Sequence, residues 1–176
     1  YSWQAYSQIL QKNNCMLLDE HIQKYIGNPD KIIIPMMEKD FNIFLDYEKT
    51  FNKKAKIHLM CALKDNIAPY EYVNEILNLF PNKTYYIMSS NTIKIIGPIL
   101  ESWHMKNRFE KIYTFPENQI SKKTYLENSK LYFNAKQNEM LIFEDSPSVI
   151  NMAKQLNLKC VFIETSLNKK KSCNYN

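Results

Sequence analysis

A chain of 176 residues that is 45% hydrophobic and 23% charged has material for one cored domain, or for a core domain with a small appendage, and is not disordered. Its net charge of +5 is spread along the chain apart from the terminal NKKKSCNYN, and no basic stripe interleaved with aromatics speaks for a nucleic-acid partner. No apolar run approaches the ~20 residues of a membrane span and the opening residues show no signal-peptide pattern, so neither membrane nor secretory placement is expected.

The four cysteines, Cys15, Cys61, Cys160 and Cys173, follow no paired spacing. The first three lie in apolar surroundings and read as buried free thiols, which points to a reducing cytoplasm. Only two glycines occur, Gly27 and Gly97, and they exclude a glycine-rich phosphate loop. The sequence begins at Tyr1 rather than Met, which raises the expectation of an upstream segment.

Residues 1 to 26 carry apolar residues at helical spacing with a polar break near Lys12 to Asn14, which predicts two helices. GNPD is a turn, with Pro29 and Asp30 able to open the next helix. Residues 31 to 64 again have helical spacing, with a polar patch near Asn52 to Lys56. This first third, residues 1 to 65, is expected to form a small helical unit. DNIAPYEYVNEILNLFP then supplies a loop and a helix ended by Pro81.

From there the pattern changes to alternation. TYYIMSS, KIYTF, EMLIFED and KCVFIE read as strands. IKIIGPILESWHM, KKTYLENSKLYFN and SVINMAKQLN read as the helices between them. Strands separated by helices in this way predict a parallel sheet with crossover helices, an α/β fold of Rossmann-like type. In such folds the chemistry lies beyond the carboxyl ends of the strands. Those ends read Ser89-Ser90-Asn91, Thr114, Glu144-Asp145 and Glu164.

Two adjacent carboxylates at a strand end repel one another and need solvent or a cation. Read from the residues alone, Glu144 and Asp145 are either a metal-binding pair or a capping Asp beside a solvated Glu. Ser89 is either a helix N-cap or a hydroxyl that holds a phosphoryl oxygen at the following helix N-terminus. Lys122 and Lys123 are either solvated lysines or the cation that neutralises a phosphate. His21, His58 and His104 are isolated and share no ligand spacing, and Trp3 and Trp103 lie on helical faces as core.

The segments YYIMSSNT, RFEKIYTF, SKKTYL and LIFEDSPSVINMAKQLNLKCVFI, in this order and spacing, resemble the haloacid-dehalogenase-like hydrolase superfamily. The similarity is to its β-phosphoglucomutase and phosphoglycolate-phosphatase branch with a helical cap, and it covers nearly the whole chain. The resemblance implies a cap over residues 1 to 65 and an α/β core over 66 to 176. It implies that Ser89 is a catalytic and phosphate-binding residue, with Ser90 and Asn91 beside it. It gives the phosphate and nucleophile a cation from Lys122 or Lys123, of which Lys122 is preferred, and it makes Glu144 and Asp145 ligands of Mg²⁺. Ser146 and Pro147 fit the turn after the acidic pair. IGNPDK falls where the family carries a substrate-specificity loop, which would let Asn28, Asp30 and Lys31 face the active site; a plain interhelical turn is the other reading. APYEYV matches the hinge back into the core, with Tyr72 where a glycine is usual.

One element of the family is missing. Its nucleophile is the first aspartate of an Asp-x-Asp-Gly signature at the end of the first strand, with the second aspartate as general acid and base. Here the aspartates are Asp19, Asp30, Asp40, Asp46, Asp65 and Asp145, and no two are separated by one residue. A first core strand with its loop, about 15–20 residues, is therefore expected upstream of Tyr1. The intact parent is expected to be a Mg²⁺-dependent phosphatase of a small phosphorylated metabolite, or a phosphosugar mutase, and to be cytoplasmic and monomeric. The alternative is a catalytically inactive phosphate-binding or regulatory protein without the nucleophile.

Overall fold

Ten helices and four short strands make up the described part of the computed structural model, residues 1–26 and 28–164. Gly27, Cys173 and the NKKKSCNYN tail lie outside the described residues. The chain divides into two compact units, Tyr1–Glu117 and Asn118–Asn176.

The first unit opens with four helices, α1 (Ser2–Gln11), α2 (Asp19–Tyr25), α3 (Asp30–Phe41) and α4 (Tyr47–Lys64). The break expected near Lys12 to Asn14 is present. The helical stretch over residues 31 to 64 is interrupted between Phe41 and Tyr47. Asn42 leaves α3 in the left-handed conformation, and Asp46 caps α4 by accepting the N–H of Lys49 at 2.8 Å. Helix α4 then runs without a break through Asn52 to Lys56, because the patch is not wholly polar in space. Lys54 is 3% exposed and its ammonium meets Asp30 at 3.0 Å. Tyr6, Ile9, Leu10, Tyr25, Ile33, Ile34, Met37 and Leu45 form the core of this helical part, with Trp3 packed against it.

His58, on α4, is half-buried, and its Nδ1 lies 3.1 Å from Ser2 Oγ. Burial, reinforced by the Lys54 charge, pushes its pKa down to about 4. Asp30 pulls weakly the other way, and the Tyr1 ring lies beside the imidazole. An unfolded histidine titrates near ~6.5, so between about pH 6.5 and 4 the unfolded chain binds the proton that the folded chain refuses. Stability is expected to fall by roughly 1–2 kcal/mol as the pH drops through that window, a figure reduced for partial exposure. Urea unfolding of His58→Gln at pH 7 and pH 4.5 checks it: the variant should lose less than the parent, and equal losses would remove His58 from the acid response.

The rest of the first unit holds α5 (Val73–Leu79), β1 (Tyr86–Ser89), α6 (Ile93–Ser102) and β2 (Lys111–Thr114). A single 3₁₀ turn, Lys106–Arg108, leads into β2. Strands β1 and β2 pair in parallel, Tyr86 opposite Lys111 and Ser89 opposite Thr114. Leu77, Leu100 and Met105 are buried behind them, and the Trp103 indole N–H donates to the Ile67 carbonyl at 2.6 Å. Helix α4 packs against α6, so residues 1–65 share one compact unit with this strand pair. Tyr72, at the hinge position, has φ 68°, a left-handed conformation that favours glycine. The backbone demand is met here by a residue for which it costs about 1 kcal/mol.

A short helix, α7 (Phe115–Asn118), spans the boundary. The second unit continues with α8 (Lys122–Glu127), α9 (Ser129–Phe133), β3 (Leu141–Glu144), α10 (Pro147–Gln155) and β4 (Lys159–Phe162). The helix expected over KKTYLENSKLYFN is two helices. Asn128 sits between them at φ −107°, ψ 38°, its side chain bonded back to the Thr124 carbonyl at 2.9 Å. Strands β3 and β4 pair in parallel, Leu141 opposite Lys159 and Glu144 opposite Phe162, and α10 packs on both. All four predicted strands form, and all pairing is parallel through helical crossovers. Among the described residues the ladders form two two-stranded parallel sheets, one in each unit. Cys15, Cys61 and Cys160 are free thiols as expected, but half-buried rather than buried. No helix among the described residues is long and apolar enough to cross a membrane.

Candidate active site

In the second unit, β3 delivers Glu144 to its carboxyl end and the chain turns at once into α10. Pro147 occupies the first turn of that helix, where a missing N–H is harmless and φ is already helical. The side chain of Glu144 folds over this turn. Its Oε1 accepts the N–H of Asp145 at 3.2 Å and of Ser146 at 3.0 Å. Its Oε2 accepts from the Lys122 ammonium at 2.6 Å. Lys122 is brought there by α8, which Ser121 starts by accepting the Thr124 N–H at 3.1 Å. Lys123, one position on, stands 3.6 Å from Glu127 on the helix surface.

The electrostatics of the pair are asymmetric. Burial alone would push the Glu144 carboxyl up, but the Lys122 charge and the donated hydrogen bonds outweigh it and hold it below the usual carboxylate range. Asp145 is pushed up, by burial first and then by the Glu144 carboxyl beside it. Negative charge is therefore crowded at this turn even with Lys122 present.

At the end of β1, in the first unit, Ser89 and Asn91 are half-buried and Ser90 is exposed. The capping role that Ser89 could have taken belongs to Thr92, whose hydroxyl accepts the Lys94 N–H at 3.3 Å at the start of α6. Ser89 Oγ instead accepts the N–H of Asn91 at 3.1 Å, closing a tight turn ahead of the helix. Two residues beside this turn were not anticipated. The Lys94 ammonium donates to Asn52 Oδ1 of α4 at 3.1 Å, which leaves its charge opposite a neutral partner. A lysine in the first turn of a helix that follows a strand end is the sequence signal that would have found it.

The loop preceding α3 does not turn its acid outward. Asp30 accepts from the Tyr6 hydroxyl at 2.5 Å and from Lys54 at 3.0 Å, and the Asn28 amide donates to the Tyr25 carbonyl at 3.2 Å. Both side chains serve the helical unit itself.

Whether Glu144 and Asp145 suit a divalent cation can be judged from their surroundings. A hard cation of the Mg²⁺ type takes oxygen ligands and keeps several of its waters, so one or two carboxylates are sufficient protein ligands. The crowded charge that raises Asp145 is relieved by a cation, and both acids offer oxygen. Among the described residues no third His, Cys, Asp or Glu joins them in a metal-binding group. The pair fits a water-rich Mg²⁺ and does not fit a closed site of the zinc type.

The haloacid dehalogenase-like hydrolase family model matches residues 2–163. No curated protein sequence matches the chain. Among solved structures, a β-phosphoglucomutase from Clostridium difficile is similar at TM-score 0.69 and 16% identity, over 97% of this chain and 80% of that one. A predicted phosphoglycolate phosphatase from Haemophilus somnus gives 0.64 and 14%, over 90% and 76%. A hydrolase from Streptococcus pneumoniae gives 0.53 and 15%, over 98% and 89%. At these identities the structures speak for the fold, an α/β Rossmann-like core with a helical cap. The family match spans nearly the whole sequence and runs through β1, α8, β3 and α10 alike, so the chain belongs to the haloacid dehalogenase-like hydrolases.

Proposed function

We propose that this chain carries the phosphate- and metal-binding parts of a Mg²⁺-dependent phosphoryl-transfer hydrolase acting on a small phosphorylated metabolite. The observation that carries the reading is the 2.6 Å contact of Lys122 with Glu144 at the end of β3, with Asp145 next in line. A cation and two carboxylates gathered at a strand end are the components that bind and neutralise a phosphoryl group. In this reading Asp145 and Glu144 hold Mg²⁺, which when bound supplies charge neutralisation for the phosphoryl oxygens. Glu144 contributes through an orientation already fixed by two backbone N–H groups and Lys122. Lys122 offsets negative charge on the phosphoryl group, and Lys123 is the reserve candidate on the same helix. Ser89 holds a phosphoryl oxygen by its hydroxyl, with Ser90 and Asn91 as neighbouring donors ahead of α6. Residues 1 to 65 act as the cap and 66 onward as the core, and the protein works as a monomer in the cytoplasm.

Mg²⁺ titration of the chain by calorimetry tests the metal assignment. Asp145→Asn is expected to weaken binding about tenfold, whereas Glu20→Gln, an exposed acid in the first turn of α2, should leave it unchanged. Equal effects from the two substitutions would reduce the acidic pair to a helix cap.

A further inference from the structure

At the amino ends of β1 and β2 the first unit carries an open cleft of about 700 Å³, lined among others by Lys83, Tyr85, Lys106, Arg108, Glu110 and Lys111. This is the end of the strand pair remote from Ser89. The register places Tyr86 opposite Lys111 here and Ser89 opposite Thr114 at the far end. At ~3.3 Å per residue the two ends are about 10 Å apart along the strands. Apart from Ile93 at the start of α6, the lining lies before or within the amino halves of the two strands, and none of Ser89, Ser90 and Asn91 lines it.

Three of its four cations meet no carboxylate among the described residues. Lys106 is paired, with Glu101 at 2.6 Å. Arg108 Nη2 donates to the neutral Asn78 Oδ1 at 3.0 Å, the Lys111 ammonium lies 5.0 Å from the Tyr113 ring centre, and Lys83 has no ion pair among the described residues. Glu110 is the one carboxylate in the lining.

Arg108 is also singular in the sequence: of the 23 basic residues it is the only arginine. A lysine supplies a point charge, whereas the planar guanidinium matches two oxygens of one phosphate. Asn78 ties down one nitrogen of that fork and so restricts its orientation. The cleft is open and Lys83, Arg108 and Lys111 are exposed, so a solvated small anion can reach all three. Three unpaired cations against one carboxylate favour a ligand with two or more negative charges, since Glu110 already balances one.

We propose that this cleft binds a small, multiply charged phosphate-bearing anion, gripped by the Arg108 fork with Lys83 and Lys111 as flanking charges. The inference does not rest on the phosphoryl-transfer reading.

Calorimetric titration of the chain with inorganic pyrophosphate, without Mg²⁺ so that the acidic pair is not recruited, tests it. Saturable binding is expected, with one component weakened about tenfold by Arg108→Gln and several-fold by Arg108→Lys, which keeps the charge and loses the fork. Glu110→Gln is expected to tighten binding several-fold by removing the repelling charge, an outcome that a merely misfolded variant cannot give. Ser89→Ala, which alters only the strand-end site, should leave that Arg108-dependent component unchanged. Absence of saturable binding, an Arg108→Lys variant that binds like the parent, or loss of binding in Ser89→Ala instead of Arg108→Gln would each overturn the proposal. So would a hexa-aspartate peptide that displaces pyrophosphate at equal concentration, since it would make the cleft a general acidic-segment surface.

Discussion

Incubated with Mg²⁺ and a generic aryl phosphate, the 176-residue chain is expected to release no phosphate above the rate of buffer alone. Every described aspartate is engaged in something other than a paired nucleophile. Asp19 opens α2, Asp46 caps α4 and Asp65 closes it. Asp30 is held by Tyr6 and Lys54, and Asp40 by Lys24 and Tyr25. Asp145 stands beside Glu144. Phosphate and metal binding without a nucleophile still stabilise a transition state, and enzymes stripped of their nucleophile retain roughly 10³–10⁴-fold over water. Phosphate monoesters, however, are among the slowest substrates to hydrolyse unaided, so that residue of catalysis stays below detection. Metal-dependent turnover by the 176 residues themselves, abolished by Asp145→Asn, would mean that another side chain serves as the nucleophile.

Lys122→Met is expected to destabilise the second unit by about 2 kcal/mol, roughly a thirtyfold change in its folding constant. Methionine keeps most of the aliphatic stem, so the effect isolates the charge. The Glu144 side chain is only 10% exposed and Lys122 23%, so removal of the ammonium leaves a mostly buried carboxylate with backbone N–H partners alone. Lys123→Met is the internal control. Its pair with Glu127 is 3.6 Å long and 58% and 42% exposed, and pairs of that kind are worth ~0.5 kcal/mol or less. In the double variant Lys122→Met with Glu144→Gln most of the loss should return, because the stranded charge is gone. Urea unfolding followed by fluorescence of the tyrosine-rich chain reads all four proteins. Equal losses for Lys122→Met and Lys123→Met would show that the 2.6 Å contact contributes nothing that a surface pair does not.

The two lysines illustrate the limit of reading by position. They are neighbours in sequence, with the same charge and the same propensity, and differ only in the direction that one helical residue, a rotation of about 100°, gives each side chain. Glu144 lies 22 residues further on, in another element. Lys54 is a second case. In a run of Asn52 to Lys56 it looks like one more solvated cation, yet it is 3% exposed because Asp30 and the Tyr6 ring meet it from α3 and α1. The basic cleft was invisible for the same reason, since Lys83, Arg108 and Lys111 are ordinary surface residues until β1 and β2 pair.

Local chemistry is what the sequence settled by itself. Short β-rich runs bounded by polar and small residues set the four strands, and intervening apolar stretches at helical spacing made their pairing parallel, since a strand that returns through a helix must run in the same direction. The positions of Ser89, Glu144 and Asp145 at strand ends followed from the same pattern, and the family from the resemblance of the segments that hold them. What tertiary structure alone decided is where charge goes. It decided that Lys54 is buried within the polar patch of α4, that Thr92 rather than Ser89 caps α6, and that Lys122 rather than Lys123 reaches Glu144. The physical reason is range: propensity and capping act within a few residues, whereas an ion pair, a burial or a sheet edge depends on a partner that only the folded chain brings within reach.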